Sequence, residues 1–341
     1  MTIVDPTLLS LPGDTFYILS SRLTNSLHPN YLVAFANTCH DVHTALLPAL
    51  QVLRHHHTAA RALCKKAGSI CSDEQRLQEI SWNDRGLTDS DCSVLAQIIS
   101  CGALGHLEVL KLGVNEIGEV GISALATACA SEALAQLQDL YLSNNQISAT
   151  GMVALACALG AMPQLKKLYL PDNPIGDAGM ASLAAALSNG ALARLQTLAL
   201  KSAQLSDKSI IDFAVALSNG AVINLTQLNL SLNSIGDQGV IALSYAIANG
   251  ALSRLTDLWL NNNQITDIGN NALFKALYEA AIHRLVLSGN QISSYGTAVI
   301  AQALSTGALN ELNELYMGYP LAGHVALKTA CAARKPNITL C

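Results

Sequence analysis

The chain has 341 residues, 51% of them hydrophobic, which is ample for a continuous core and excludes a disordered chain. Charged residues are only 13%, the formal net charge is -5, and there is no long run of Lys or Arg. The sequence therefore points away from nucleic acid and from anionic membrane surfaces as partners.

Met1 to Ser20 has no basic residue ahead of an apolar stretch, and no window approaches the roughly 18–20 uninterrupted apolar residues that span a bilayer. The nine cysteines are an odd number without a CxxC pair, so neither a complete disulfide framework nor a tetrahedral zinc site is signalled. They read as reduced, mostly buried thiols, and the protein as soluble and cytoplasmic, with the nucleus as the alternative.

Residues 1–73 form a first module. Phe16, Leu19, Leu23, Leu32, Phe35 and Cys39 fall at helix-like intervals, broken by Leu27-His28-Pro29-Asn30. The opening Leu11-Pro12, the spaced Phe16 and Leu19, and Cys39 further on resemble an F-box, the helical motif that docks substrate receptors onto the Skp1 adaptor of cullin ubiquitin ligases. The resemblance implies adaptor docking through Leu11, Pro12, Phe16, Leu19, Leu32 and Phe35. The other reading of the same helices is a cap over the first repeat, which a solenoid needs in any case. His55, His56 and His57 are consecutive and cannot share one helical face, so they read as a solvated surface and not as metal ligands.

Residues 74–341 repeat one unit. Aligned on L-x-x-L-x-L, units begin at Leu77, Leu107, Leu137, Leu165, Leu195, Leu225, Leu255, Ile282 and Leu312, at spacings of 27 to 30 residues. Alternation such as Leu168-Tyr169-Leu170 has period 2 and predicts a strand; Met180, Leu183, Ala186 and Leu187 recur at helical spacing and predict a helix after it. Thr88, Gly118, Ser148, Gly176, Ser206, Gly236, Thr266 and Ser293 are expected to cap these helices. In most units an acid such as Asp177 or Asp237 follows, where the helix dipole favours it.

Asn115, Asn145, Asn173, Asn233, Asn263 and Asn290 hold one position after the strand, where an amide can both donate to and accept from backbone that turns inward. Ala203 breaks this series and is expected to be a weak point; Pro320 suits a last unit with no neighbour. Segments such as LKKLYLPDNPIGDAG (165–179) and LTDLWLNNNQITDIG (255–269) resemble the leucine-rich repeat of ribonuclease inhibitor and its long-repeat relatives. Strands spaced about 4.8 Å apart beside helices about 8–10 Å apart force curvature. The expected fold is an α/β leucine-rich-repeat solenoid, a right-handed βα horseshoe of about nine repeats after a small all-α module.

No GxSxG, HExxH or GxxxxGKS motif occurs, so no catalytic residue, cofactor or metal is expected and the chain reads as a binding protein. Arg85 stands where later units have Asn. Through the resemblance to Ran GTPase activators of this fold, it is the one residue that suggests an alternative role, as a small-GTPase activator. A purely structural scaffold is the third reading.

The expected partner-binding surface is the concave face. Its central column reads Ser81, Lys111, Tyr141, Tyr169, Ala199, Asn229, Trp259, Val286 and Tyr316. Beside it lie Asp139, Lys167, Asp257 and Arg284 in a flanking column of mixed sign. Four of those nine central positions are Tyr or Trp in a chain that is 4% aromatic, and such side chains anchor protein interfaces.

Overall fold

The computed structural model describes residues 40–68, 77–102, 104–318, 325–334 and 338–340. The F-box-like positions Leu11, Pro12, Phe16, Leu19, Leu32 and Phe35 lie outside them, as does Pro320. Helix α1 (His40–Ala67) comes first. Strands and helices then alternate: β1 (Glu79–Ser81), α2 (Asp89–Ser100), β2 (Val109–Lys111), α3 (Glu119–Cys129), β3 (Asp139–Tyr141), α4 (Ala149–Ala158) and β4 (Lys167–Tyr169). The series continues with α5 (Gly176–Ser188), β5 (Thr197–Ala199), α6 (Asp207–Ser218), β6 (Gln227–Asn229), α7 (Asp237–Ala248), β7 (Asp257–Trp259) and α8 (Asp267–Ala276). It ends with β8 (Arg284–Val286), α9 (Ser294–Ser305), β9 (Glu314–Tyr316), α10 (Val325–Ala333) and β10 (Thr339–Leu340).

The ten strands make one open parallel sheet in chain order, and each helix packs on the next, so every unit touches only its neighbours. Leu110, Leu140, Leu168, Leu198, Leu228 and Leu258 turn inward from the strands, each at most 2% exposed, and meet helix residues such as Met152, Met180, Ile210 and Val240. The array has one strand more than the leucine pattern suggests. Thr339 and Leu340 pair with Glu314 and Leu315, so the ninth unit does have a neighbour. At the other end Leu77 is 36% exposed where Leu107 and Leu137 are fully covered, while α1 packs on α2 with Ala60, Leu63 and Ala67 buried.

Two hydrogen-bond ladders tie the units together. Asn173 Nδ2 donates to the carbonyls of Leu142 and Leu170, and its Oδ1 accepts from the N–H of Ile147. Asn115, Asn145, Asn233, Asn263 and Asn290 bond in the same way. The second ladder runs through the acids at the helix starts. Asp237 accepts from the N–H groups of Thr266 and Gly269 at 2.8 and 2.9 Å, and Asp207 serves Gly236 and Gly239 likewise. These carboxylates therefore satisfy orphan donors of the next helix, besides facing the dipole of their own. Glycine is required for that approach: a Cβ on Gly239 would stand 2.7 Å from Asp207 Oδ1.

Both ladders lapse around Gly176. Ala203 has no amide, Ala149 no carboxylate and Pro174 no N–H. The N–H of Ile175 turns to Asn173 O and that of Gly176 to Ala203 O, with Gly176 at φ +62°. Gly176 is consequently the first residue of α5 and not its cap, the position before it being Ile175 in helical conformation. The cysteines are mixed. Cys92, Cys129 and Cys331 are buried free thiols, and burial pushes the first two up to about 12. Cys101 and Cys157 are exposed, and Cys64 is disulfide-bonded, contrary to the expectation of reduced thiols throughout.

Candidate functional site

Parallel register brings the central residues of β1 to β9 into one column. Lys111 stands beside Tyr141, Tyr141 beside Tyr169, Tyr169 beside Ala199, Asn229 beside Trp259, and Val286 beside Tyr316. The side chains point away from the leucine core because neighbours along a strand alternate faces.

They are not free in solvent, however. Tyr141 and Tyr169 are half-buried and stack nearly parallel, ring centroids 4.6 Å apart and planes at 9°, while Lys111 Nζ lies 5.8 Å from the Tyr141 ring. Partial burial, reinforced by Asp139, raises the Tyr141 phenol above its ordinary value. Trp259 has the Arg284 guanidinium 6.0 Å above its ring.

The flanking charges are paired along the sheet. Lys111 bonds Glu79 at 2.6 Å, Lys167 bonds Asp139 at 2.9 Å, and Arg284 bonds Glu314 at 2.6 Å with Asp257 at 3.6 Å. Hydrogen bonding to Glu79, Asp139 and Glu314 raises the three cations further; Glu314 is lowered in return by Arg284.

Between these two groups β5 presents only Thr197 and Ala199, 7% and 4% exposed, and Asn229 is turned onto Ser231 at 2.6 Å. The face thus comprises two aromatic and ionic clusters, Glu79 to Tyr169 and Asp257 to Tyr316, separated by a smooth polar strip. The aromatics are therefore not one run, and the sequence signal of the division is Ala199, which interrupts the column.

Arg85 is exposed, and its backbone N–H donates to Asn115 Oδ1 at 3.0 Å. Its guanidinium lies over the end of α1, where a Cβ on Gly68 would be 3.6 Å from it. His55 and His56 lie on the outer part of α1, ring centroids 6.2 Å apart. Among the described residues no group of three His, Cys, Asp or Glu is placed to hold a metal ion, and no helix is long and apolar enough to cross a membrane.

A family model described as leucine-rich repeat matches residues 105–126, 136–156, 162–184 and 223–244. No curated protein matches the chain. Among solved structures, a similar chain is the Leiomodin-1 Actin-Binding Site 2 (ABS2), at 16% identity and a TM-score of 0.36, covering 43% of this chain and 84% of that one. So distant a likeness bears on nothing further. The matched segments, together with ten parallel strands alternating with ten helices among the described residues, show that the chain is built from leucine-rich repeats.

Proposed function

We propose that the chain is a protein-binding module, of the long ribonuclease-inhibitor-like repeat type, that holds a protein partner on its concave face. The observation that carries the reading is the pair of aromatic clusters. Tyr141, Tyr169, Trp259 and Tyr316 offer apolar area with polar edges, held in place by stacking and by Lys111 and Arg284. Because Lys111, Lys167, Arg284, Asp139 and Asp257 already have partners on the sheet, they orient the rings and form a polar rim.

The test is affinity capture with the full chain, followed by titration of the recovered protein against Tyr169→Ala and Trp259→Ala. Each change is expected to weaken binding by about 1–3 kcal/mol. Loss of the Tyr141 stack is expected to lower stability by about 0.5–1.5 kcal/mol, so melting is measured alongside. Unchanged affinity with lowered stability would mean that the rings only brace the sheet.

The same capture reads the F-box resemblance. Docking to a Skp1-type adaptor predicts recovery of that adaptor by the intact chain and its loss on Leu11→Ala with Phe16→Ala. Arg85, laid over the end of α1, has no observation in its favour as a GTPase-activating residue.

A further inference from the structure

The edge of the solenoid at the N-terminal ends of the strands carries charge of one sign in its middle. The segments that lead from a helix into β4, β5, β6 and β7 (159–166, 189–196, 219–226 and 249–256) hold Lys166, Arg194 and Arg254 and no acidic residue; acids return only at Glu132 on one side and Glu279 on the other. Arg194 and Arg254 are exposed and Lys166 is half-buried. Each is held by a neutral amide of the preceding unit. Lys166 Nζ donates to Gln138 Oε1 at 2.8 Å, Arg194 Nη1 to Gln164 Oε1 at 2.5 Å and Arg254 Nη1 to Asn224 Oδ1 at 3.1 Å. Among the described residues none of the three enters an ion pair. Asp257, the acid nearest Arg254 in sequence, accepts from Thr256 Oγ1 at 2.8 Å and lies 3.6 Å from Arg284 on the concave face. Nor are these cations used to close helices. The carbonyls ending α5, α6 and α7 are taken up by the N–H groups of Gly190 and Ala191, Gly220 and Ala221, and Gly250 and Ala251. Arg334, by contrast, is committed to the carbonyls of Leu304, Ala308 and Leu309.

We infer that this edge receives an acidic, extended segment of the protein partner; the inference rests on the reading of the chain as a protein-binding module. An amide fixes the direction of a guanidinium through one N–H without neutralising it, and the remaining donors can grip a carboxylate through two parallel bonds. Two strand spacings put Arg194 and Arg254 about 10 Å apart along the edge, and side chains on one face of an extended chain recur every ~7 Å, so the two long side chains reach carboxylates two to four residues apart. Lys166 stands one strand before Arg194 and two positions further up its unit, towards Tyr169. It leads from the edge to the Tyr141–Tyr169 stack, so that the acidic segment continues a partner seated on the concave face. A nucleic acid fits this edge less well: the four segments contain no aromatic side chain on which a base could stack, while their Asn, Gln, Ser and Thr side chains suit peptide groups.

The test uses the full chain with fluorescein-labelled octaglutamate as the probe, followed by fluorescence anisotropy at about 50 mM salt. Saturable binding is expected. Arg194→Gln and Arg254→Gln are each expected to weaken it about 3-fold, and the two together about 10-fold, as exposed charge pairs do. Salt at roughly 0.5 M is expected to abolish it. Lys208→Gln removes an exposed cation at the start of α6, on the opposite edge, and is expected to change nothing, as is Tyr169→Ala. Circular dichroism of each variant checks folding. No binding of octaglutamate to the unaltered chain, equal weakening by Lys208→Gln, or tighter binding of a labelled oligothymidylate of the same length would each overturn the inference. The concave reading is separable from it. If octaglutamate fails to bind while Trp259→Ala still weakens the captured partner, the edge falls and the concave site stands; if octaglutamate binds as expected while neither aromatic variant affects the captured partner, the reverse holds.

Discussion

Asn173 is 1% exposed and its side chain serves four backbone groups at once, the carbonyls of Leu142, Leu170 and Pro171 and the N–H of Ile147. Asn173→Ala removes them all in mid-array, and about 1–3 kcal/mol of stability is expected to go with them, measured by urea unfolding. An unchanged midpoint would mean that water replaces the amide. Asp177 tests the second ladder. Burial tends to raise its pKa, but hydrogen bonds from Ser206 and Ser209 outweigh this and hold it below the ordinary aspartate value. The sign follows: a lowered folded pKa contributes stability that is complete above the unfolded value near ~4 and is lost as pH falls through the folded value. Asp177→Asn is expected to lower stability by about 1 kcal/mol at pH 7 and to make the acid limb of the pH profile shallower, the two proteins converging once the native carboxylate is protonated. Parallel acid limbs would show that the carboxylate is not what holds Ser206.

At the scale of elements, the unit of strand and helix is written plainly in the leucine spacing, and nine of the strands lie where L-x-x-L-x-L puts them. The tenth escaped because only Leu340 remains of that pattern, and pairing with β9 supplies what the local sequence lacks. Gly176 escaped for a different reason: its role depends on Ala149 and Ala203 in the two adjoining units, and contacts between units are invisible to a one-unit pattern. The concave columns follow from strand alternation, whereas the Tyr141–Tyr169 stack and the ion pairs are choices of rotamer that alternation leaves open. Helix α1 is an element whose contribution can be weighed directly. Leu63 is 3% exposed within the core that continues through α2. Leu63→Ala is expected to cost about 2–3 kcal/mol and to lower the melting temperature, because α2 then loses part of its cover. A change below about 0.5 kcal/mol would mean that α1 rests on the array without supporting it.

In the whole molecule, stability is passed from neighbour to neighbour, so it is limited by the weakest junction. The polar interior gathers at one place. Asn270 is fully buried at the helix position filled by Met152, Met180, Ile210 and Val240 in earlier units; its Nδ2 reaches Gly296 O at 3.2 Å, but its Oδ1 has no partner. Ser244 Oγ on the preceding helix is also buried without one, and Thr297 continues the polar column into α9. The unit from Leu255 to Ile282 is moreover the shortest, at 27 residues. Burying a polar atom unpaired costs about 1–3 kcal/mol, so α9, β9, α10 and β10 are expected to open together ahead of the rest. Hydrogen exchange is expected to show protection falling between α8 and α9. Asn270→Val removes the unpaired oxygen while the Gly296 carbonyl keeps its place in its own helix. The variant is expected to gain about 1 kcal/mol and to raise protection chiefly beyond residue 276. Uniform protection from α4 to α9 in the native chain would locate no junction there, and a destabilised variant would mean that the amide's one bond outweighs its unpaired oxygen.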